Sequence, residues 1–216
     1  MVTCLLGKLR PAISSFANIV AYPFAALKVN PNAFSFSAIP LALAGAYMLL
    51  QYDFFLSFIF TALAVSVDLF DGAVARLQNR STNFGNYFET MVDKVVEIIL
   101  FIGAAFIFPV AAACALGFSM LASYAKPRVG LVIITDNRDW PAIGEHAERM
   151  IILLAGIFLS AYSVSVAEVH ALDAALWLIA IITFIGSVQR ILYAKKLIAE
   201  AEKRGTLLPY LDSPKK

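Results

Sequence analysis

Long apolar stretches alternate with short polar connections through most of this chain. Six such stretches each contain roughly 18–24 residues, which is the length that a helix needs to cross a bilayer. They lie near 34–51, 54–77, 84–107, 110–127, 147–166 and 172–195. The pattern predicts an all-α integral membrane protein with six transmembrane helices.

The segments outside these stretches are more polar. Apolar residues before Asn30 recur at helical spacing between basic residues and serines, which predicts an amphipathic helix in the membrane interface. The alternative is a poorly ordered leader. Asn30-Pro31-Asn32 is a turn signal that separates this segment from the first span. The predicted organisation is a juxtamembrane amphipathic segment (1–30), a six-helix transmembrane domain (31–198) and a charged cytoplasmic tail (199–216).

Basic residues are concentrated in alternate connections. The first, third and fifth connections, near 51–53, 107–110 and 166–172, contain no Lys or Arg. Nearly all of the 17 Lys and Arg residues lie in the even-numbered connections and at the two ends. By the positive-inside rule, this distribution predicts a multi-pass cell-membrane protein with both termini in the cytoplasm.

Composition supports the membrane assignment and narrows the function classes. The chain is 61% hydrophobic and 15% charged, whereas a soluble domain has about 25% charged residues. A net charge of +2 does not indicate nucleic-acid binding. Cys4 and Cys114 are far apart and follow no ligand pattern, so they are interpreted as small apolar residues.

Four acids interrupt the second and third apolar stretches. Asp68 and Asp71 are three residues apart on one helix face, and Glu89 and Asp93 are four apart on the next helix. A charge at membrane depth costs roughly 2.5–3.5 kcal/mol on insertion scales, so four idle acids are not expected. Because the two helices join at a cytoplasmic connection, the acids are predicted to face one cavity open to the cytoplasm.

The residue types around these acids indicate chemistry at phosphorus. Four carboxylates without sulfur or histidine suit hard cations such as Mg²⁺, Mn²⁺ or Ca²⁺, and are enough for two ions. Gly72 and Ala75 leave room for a ligand, and Arg76 suits a phosphate. Ion pairing is the simpler interpretation for Lys94 and Glu97, but too few bases lie nearby to pair all four acids.

The spacing of these residues resembles the signature of the CDP-alcohol phosphotransferases. The motif reads Asp68-x-x-Asp71-Gly72-x-x-Ala75-Arg76, then eight residues, then Gly85-x-x-x-Glu89-x-x-x-Asp93. Every spacing agrees with the family pattern. The one departure is Glu89, where the family has aspartate; its extra methylene implies a different metal–metal geometry or ion preference.

The resemblance implies transfer of a phosphatidyl-type group, diacyl or archaeal diether, from a CDP-linked lipid to an alcohol, with release of CMP. It implies two Mg²⁺ or Mn²⁺ ions, a homodimer, and Asp93 as general base. The implied metal ligands are Asp68, Asp71, Glu89 and Asp93. The implied nucleotide-binding residues are Asn32, Asp68, Gly72, Ala75, Arg76 and Gly85.

Two further segments resemble the branch that makes phosphatidylinositol phosphate or its archaeal ether-lipid counterpart. They are Ser123–Arg128 and Gly144–Arg149. This resemblance implies a phosphorylated polyol acceptor, such as inositol phosphate, held by Lys126, Arg149 and Arg190. The alternative is that these cations anchor helices to lipid headgroups. With Asp93 as base, no catalytic role is expected for His146.

Two alternatives stay open at this point. The same chemistry could use glycerol phosphate, serine or free inositol as acceptor. A cation-coupled transporter would also explain intramembrane acids, but it predicts acids at the midplane, broken helices and internal repeats. The sequence instead places the acids toward one side and shows no evident repeat.

Overall fold

The computed structural model describes residues 17–134, 140–141, 143–166 and 168–208. Most of these residues are helical; the strands among them are the short antiparallel pair β1 (Ser165–Val166) and β2 (Val169–His170), and there is one isolated bridge between Ile133 and Leu207. The helices are α1 (Ala17–Ala26), α2 (Pro31–Phe36), α3 (Ala38–Leu50), α4 (Phe54–Leu77), α5 (Asn83–Ala105), α6 (Pro109–Val129), α7 (His146–Ala161) and α8 (Ala171–Arg204).

The helices follow the six predicted apolar stretches closely. The first stretch is divided at Ser37 into α2 and α3. Three helical stretches of the described chain are long and apolar enough to cross a membrane, namely Pro31–Leu50, Phe54–Leu77 and Ala171–Arg204. The all-α membrane class is therefore confirmed. Six crossings and cytoplasmic termini stay predictions, since α5 carries several charges and α7 has only 16 residues.

Side-chain caps mark the starts of α2 and α5. Asn30 accepts a hydrogen bond from the backbone N–H of Asn32 at 3.0 Å, and Pro31 occupies the first helical position of α2. Thr82 accepts one from the backbone N–H of Gly85 at 2.9 Å at the start of α5. These two helix starts lie side by side, because a Cβ on Gly85 would stand 3.5 Å from Oδ1 of Asn32.

Small residues allow α3 to lie very close to α4 and α5. A Cβ built on Gly103 of α5 would stand 2.7 Å from the Cβ and 2.9 Å from the Cα of Ala46. A Cβ on Gly45 would stand 2.7 Å from Oγ1 of Thr61 on α4. Such contacts are typical of membrane bundles, where close backbone packing replaces much of the hydrophobic driving force.

Apolar side chains fill the inside of the bundle and also cover much of its outside. Leu100, Leu153 and Leu176 are fully buried in one core cluster. Large apolar side chains such as Leu63 and Ile181 are about half exposed. Exposed apolar area on this scale marks an interaction surface, and on long apolar helices it suits contact with lipid.

The helix α1 lies against the end of α4 that carries the acids. Ala17 and Ala21 are buried in a small cluster with Ala73 and Val74, whereas Ile19 is 72% exposed. This one-sided burial agrees with an amphipathic helix. The rest of the predicted amphipathic segment, residues 1–16, lies outside the described residues.

The last helix continues past the predicted end of the transmembrane domain. It ends at Gly205, which adopts a left-handed conformation (φ 65°). Ala201 is buried with Val129, Ile133 and Trp140. Residues 199–208 therefore extend the bundle and contact the connection after α6, and residues 209–216 lie outside the described part of the chain.

We expect Gly103→Ala to destabilise the protein by about 1–3 kcal/mol, because the added methyl group meets the backbone of Ala46 as well as its side chain. The measurement is thermal unfolding of the detergent-solubilised protein. Gly117→Ala is the matched control, since nothing lies within 4 Å of a Cβ there; helix propensity predicts a neutral or slightly stabilising effect. Equal losses in both variants would contradict the packing argument.

Candidate active site

The four predicted acids lie together between the C-terminal half of α4 and the N-terminal half of α5. Carboxylate oxygens of Asp68, Asp71 and Glu89 all lie within 4.8 Å of one another. A second group with the same spacing contains Asp68, Asp93 and a nitrogen of His146. Asp68 belongs to both groups, so the two helices present one continuous cluster with two centres.

Like charges are crowded in this cluster. Carboxylate oxygens of Asp71 and Glu89 lie within 4.8 Å of each other, as do those of Asp68 and Asp93. At this range an ionised carboxylate disfavours ionisation of its neighbour, and a cation or a proton between the two relieves the repulsion. The oxygen donors therefore fit divalent cations, which suit carboxylate ligands.

Asp71 is the most buried member and is held from two sides. Its side chain is 3% exposed. The hydroxyl of Ser35 on α2 donates to Oδ2 at 2.7 Å, and the backbone N–H of Gly72 donates to Oδ1 at 2.6 Å. These donors orient the carboxylate, and one of its oxygens lies within 4.8 Å of carboxylate oxygens of Asp68 and Glu89.

A polar cavity of about 410 Å³ opens beside the acids. Its lining comes from the starts of α2 and α5, the end of α4 and the connection between α4 and α5. The lining residues are Pro31, Asn32, Ser35, Asp71, Gly72, Ala75, Arg76, Arg80, Ser81, Thr82, Asn83, Gly85, Asn86 and Glu89. Every residue predicted to bind the nucleotide is present except Asp68, which belongs to the carboxylate cluster instead.

The cavity extends between Arg76 and Glu89 because residue 72 is a glycine and has no side chain. A Cβ on Gly72 would stand 3.1 Å from Nη1 of Arg76 and 3.7 Å from Oε1 of Glu89. Any larger residue would enter the space between the cation and the acid. The cavity also includes Arg80, Thr82 and Asn83 at the start of α5, which sequence analysis did not select. Unpaired N–H groups at the start of a helix favour anions. The N-cap residue Thr82, close to Arg80 in the sequence, could therefore have indicated an anion-binding helix start.

A buried ion cluster lies deeper, between α5 and α7. Glu97 is 0% exposed and accepts from Nε and Nη2 of Arg149 at 2.5 and 2.9 Å. It also accepts from Nζ of Lys94 at 2.9 Å, which confirms the predicted pair. Arg149 is 1% exposed and donates as well to the carbonyl of Gly144. Its guanidinium is therefore occupied by protein atoms.

The other two cations predicted to bind an acceptor lie around the end of α6. Arg190 of α8 is 7% exposed and donates to the carbonyl of Ala122 at 2.6 Å and to that of Pro141 at 3.2 Å. Arg149 reaches Ser123 at 3.4 Å. Both arginines thus contact the turn of α6 before Lys126, which is half-buried. Contact of these three cations with an acceptor stays a prediction.

His146 is the residue that sequence analysis left without a role. It is the first residue of α7, and its Nδ1 lies 3.3 Å from Oε2 of Glu97. Only the fold brings it to Asp68 and Asp93, because it is more than fifty residues away from both along the chain. Taken together, these features suit a divalent-cation site beside a pocket for a phosphorylated ligand.

Known proteins resemble this chain over most of its length. Archaetidylinositol phosphate synthase from Pyrococcus horikoshii is 25% identical over 198 residues, which cover 89% of this chain and 97% of that protein. Phosphatidylinositol phosphate synthase from Streptomyces avermitilis is 28% identical over 207 residues, covering 87% of this chain and 83% of that protein.

Solved structures resemble the fold described above. The crystal structure of Mycobacterium tuberculosis phosphatidylinositol phosphate synthase with CDP-DAG bound matches with a TM-score of 0.68 and 25% identity, over 82% of this chain and 92% of that one. A structure of the same enzyme in complex with manganese and citrate also has a TM-score of 0.68, at 24% identity, over 82% and 88% of the two chains.

The family assignment rests on the match to a family model, which covers more than half of the chain. The model of the CDP-alcohol phosphatidyltransferase family matches residues 28–200, from the turn before α2 into the last turns of α8. This range includes both acid-bearing helices and the cavity between them. The protein therefore belongs to the CDP-alcohol phosphatidyltransferase family and is a membrane transferase of phospholipid biosynthesis.

Proposed function

We propose that this enzyme transfers a phosphatidyl-type group, diacyl or archaeal diether, from a CDP-linked lipid to a phosphorylated polyol such as inositol phosphate, releasing CMP. The observation that carries this proposal is the meeting of four carboxylates from α4 and α5 beside a polar cavity. The names of the relatives, which are inositol phosphate synthases of two lipid types, support this acceptor.

The cavity suits the nucleotide part of the donor. Asn32, Gly72, Ala75, Arg76 and Gly85 line it. Arg76 would pair with a phosphate, and the small residues would let the nucleotide approach the helix backbone. The start of α5 adds N–H groups that favour negative charge. The lipid part of the donor would lie outside this polar space, in the bilayer.

The carboxylate cluster suits the metal ions. Asp68, Asp71, Glu89 and Asp93 would hold two Mg²⁺ or Mn²⁺ ions, which when bound neutralise the diphosphate and the leaving CMP. The chain itself supplies orientation, because Ser35 and the Gly72 N–H fix the Asp71 carboxylate before any ligand enters. Glu89 would reach the same centre with a longer side chain.

Asp93 is the proposed general base. It lies one helical turn beyond Glu89 on α5, within the centre that also contains Asp68 and His146. It would take the proton from the acceptor hydroxyl as that oxygen bonds to the lipid-side phosphorus. The bond from this phosphorus to the bridging diphosphate oxygen breaks, and the electron pair leaves with CMP.

We propose that Lys126, Arg149 and Arg190 form the acceptor side. Their support is proximity, because the two arginines contact the turn of α6 that precedes Lys126. Arg149 is already paired with Glu97, so its main contribution would be to hold α5, α7 and the end of α6 in position around the acceptor. Lys126 is the member proposed to contact the acceptor phosphate.

We further propose that all six long helical stretches cross the membrane, that both termini are cytoplasmic, and that the enzyme is a homodimer. Asp71 and Glu89 are each six residues from the helix ends at the α4–α5 connection, about 9 Å along the axis. Asp68 and Asp93 are nine and ten residues from the same ends, about 14–15 Å, and the cavity beside the acids is lined by that connection. This position suits a site open to the cytoplasm better than the midplane site that a transporter would need.

An acceptor screen tests the proposed substrate class. With one CDP-linked lipid and Mg²⁺ or Mn²⁺, we expect CMP release to be fastest with inositol phosphate and much slower with glycerol phosphate, serine or free inositol. The measurement is CMP formation under identical detergent conditions. Faster release with an unphosphorylated alcohol would contradict the acceptor, whereas the absence of release with every alcohol would contradict the proposed reaction.

Replacing the base tests its role. We expect Asp93→Asn to lower kcat by roughly 10²–10⁴-fold, the usual contribution of general base catalysis, while CDP-lipid still binds. The measurements are CMP release and equilibrium binding of the donor. Asp173→Asn, at the opposite end of the bundle in the first turn of α8, is the matched control and should retain activity. Full turnover by Asp93→Asn would refute the assignment.

Lys126→Ala tests the acceptor side. We expect KM for inositol phosphate to rise roughly 10-fold or more, the loss of a charge-assisted hydrogen bond, with KM for the donor unchanged. Arg128→Ala removes an exposed cation from the same helix end and should leave both constants unchanged. Arg149→Ala is less informative, because it leaves buried Glu97 without its main partner and should destabilise the fold. Equal effects of Lys126→Ala and Arg128→Ala would indicate lipid-headgroup contact instead.

A further inference from the structure

His146 lies beside the acid cluster without an obvious need to be there. Its only hydrogen-bond partner among the described contacts is Glu97, through Nδ1 at 3.3 Å. Glu97 already accepts two hydrogen bonds from Arg149 and one from Lys94. The buried carboxylate is thus satisfied without the imidazole, and stability of the ion cluster does not account for the position of His146.

The position of His146 is compatible with that of a metal ligand. One of its ring nitrogens lies within 4.8 Å of carboxylate oxygens of both Asp68 and Asp93. Histidine ligands usually donate their other N–H to a carboxylate, which fixes the tautomer and the ring orientation. Glu97 takes this position at Nδ1, which leaves Nε2 as the nitrogen available to bind a cation.

The backbone before α7 holds this ring in place. Gly144 has φ +74°, and a Cβ there would stand 3.1 Å from the Cα of Thr183 on α8, so the turn requires glycine. Glu145 and Glu148 form a capping box, in which the N–H of Glu145 donates to Oε2 of Glu148 at 3.3 Å and the Glu145 side chain accepts from the backbone N–H of Glu148. The N–H of Gly144 donates to the same Oε2 at 2.8 Å. His146 follows at once, as the first helical residue.

We infer that His146 is a direct metal ligand and that, with Asp68 and Asp93, it forms a mixed carboxylate–imidazole centre. The centre formed by Asp68, Asp71 and Glu89 has oxygen donors only. Carboxylates suit Mg²⁺, whereas imidazole favours transition-metal ions. The centre that contains Asp93 should therefore select Mn²⁺, or another first-row divalent ion, over Mg²⁺. This inference rests on the proposed two-metal function and assigns one of its ions a nitrogen ligand.

Pulsed electron paramagnetic resonance of the Mn²⁺-loaded full-length enzyme, freed of any histidine tag, tests the inference directly. A coordinated imidazole nitrogen modulates the spin echo of Mn²⁺. The chain has two histidines, and His170 lies at the opposite end of the bundle beside Ser160. We expect imidazole modulation in the wild-type enzyme and in the control His170→Gln, and its loss in His146→Gln.

Metal affinity provides a second measurement. We expect His146→Gln to weaken Mn²⁺ binding by roughly tenfold or more and to change Mg²⁺ binding much less, so that the preference for Mn²⁺ narrows. Thermal unfolding of the variant without metal would show whether the fold is intact. The test for imidazole modulation in the wild-type enzyme does not depend on any variant. It can therefore contradict the inference even if His146→Gln does not fold.

The outcomes separate this inference from the proposed function. Bound Mn²⁺ without imidazole modulation in an enzyme that still releases CMP would overturn the role of His146 alone. Modulation that persists in His146→Gln would do the same. An enzyme that binds neither Mn²⁺ nor Mg²⁺ would overturn the two-metal function together with the inference.

Discussion

The crowding of carboxylates between two apolar helices is the constraint on which the rest of this structure depends. The four carboxylates of Asp68, Asp71, Glu89 and Asp93 repel one another at short range. An apolar bundle cannot solvate their charges as water would. A divalent cation resolves both problems at once. The bundle therefore has to supply rigid positions for the acids and an opening through which ions and a charged ligand reach them.

Two features of the packing supply that rigidity. Small residues on α3 let it approach α4 and α5 closely, so the helices that carry the acids share one support. The ion pair between Glu97 and Arg149 joins α5 to α7 inside the bundle. Removing one partner of such a buried pair strongly destabilises the fold, because the remaining charge is left buried without a counter-charge. The same pair brings the start of α7, and with it His146, to the acid cluster.

The two sides of the cluster differ in chemistry. The side toward the cavity combines Arg76, the start of α5 and the glycines, which suits a phosphorylated nucleotide. The side toward α7 combines Asp93, His146 and the cations around the end of α6. A displacement at phosphorus needs a leaving group on one side and a nucleophile on the other, and the division between these two sides matches that need.

The sequence alone determined the helices, the membrane class and the four acids, because apolar length and i, i+3 or i, i+4 spacing are local properties. Besides the acids it selected Gly72, Ala75, Arg76 and Gly85, which line the cavity, since the motif places them on two neighbouring helices. It also selected Asn32, in the turn signal before the first span. It did not determine that Arg149 pairs with Glu97, which is 52 residues away. Nor did it determine the position of His146. Contacts between helices distant along the chain have no local pattern, so only the tertiary structure decided that Arg149 and Arg190 bond to protein atoms and that His146 joins the acids.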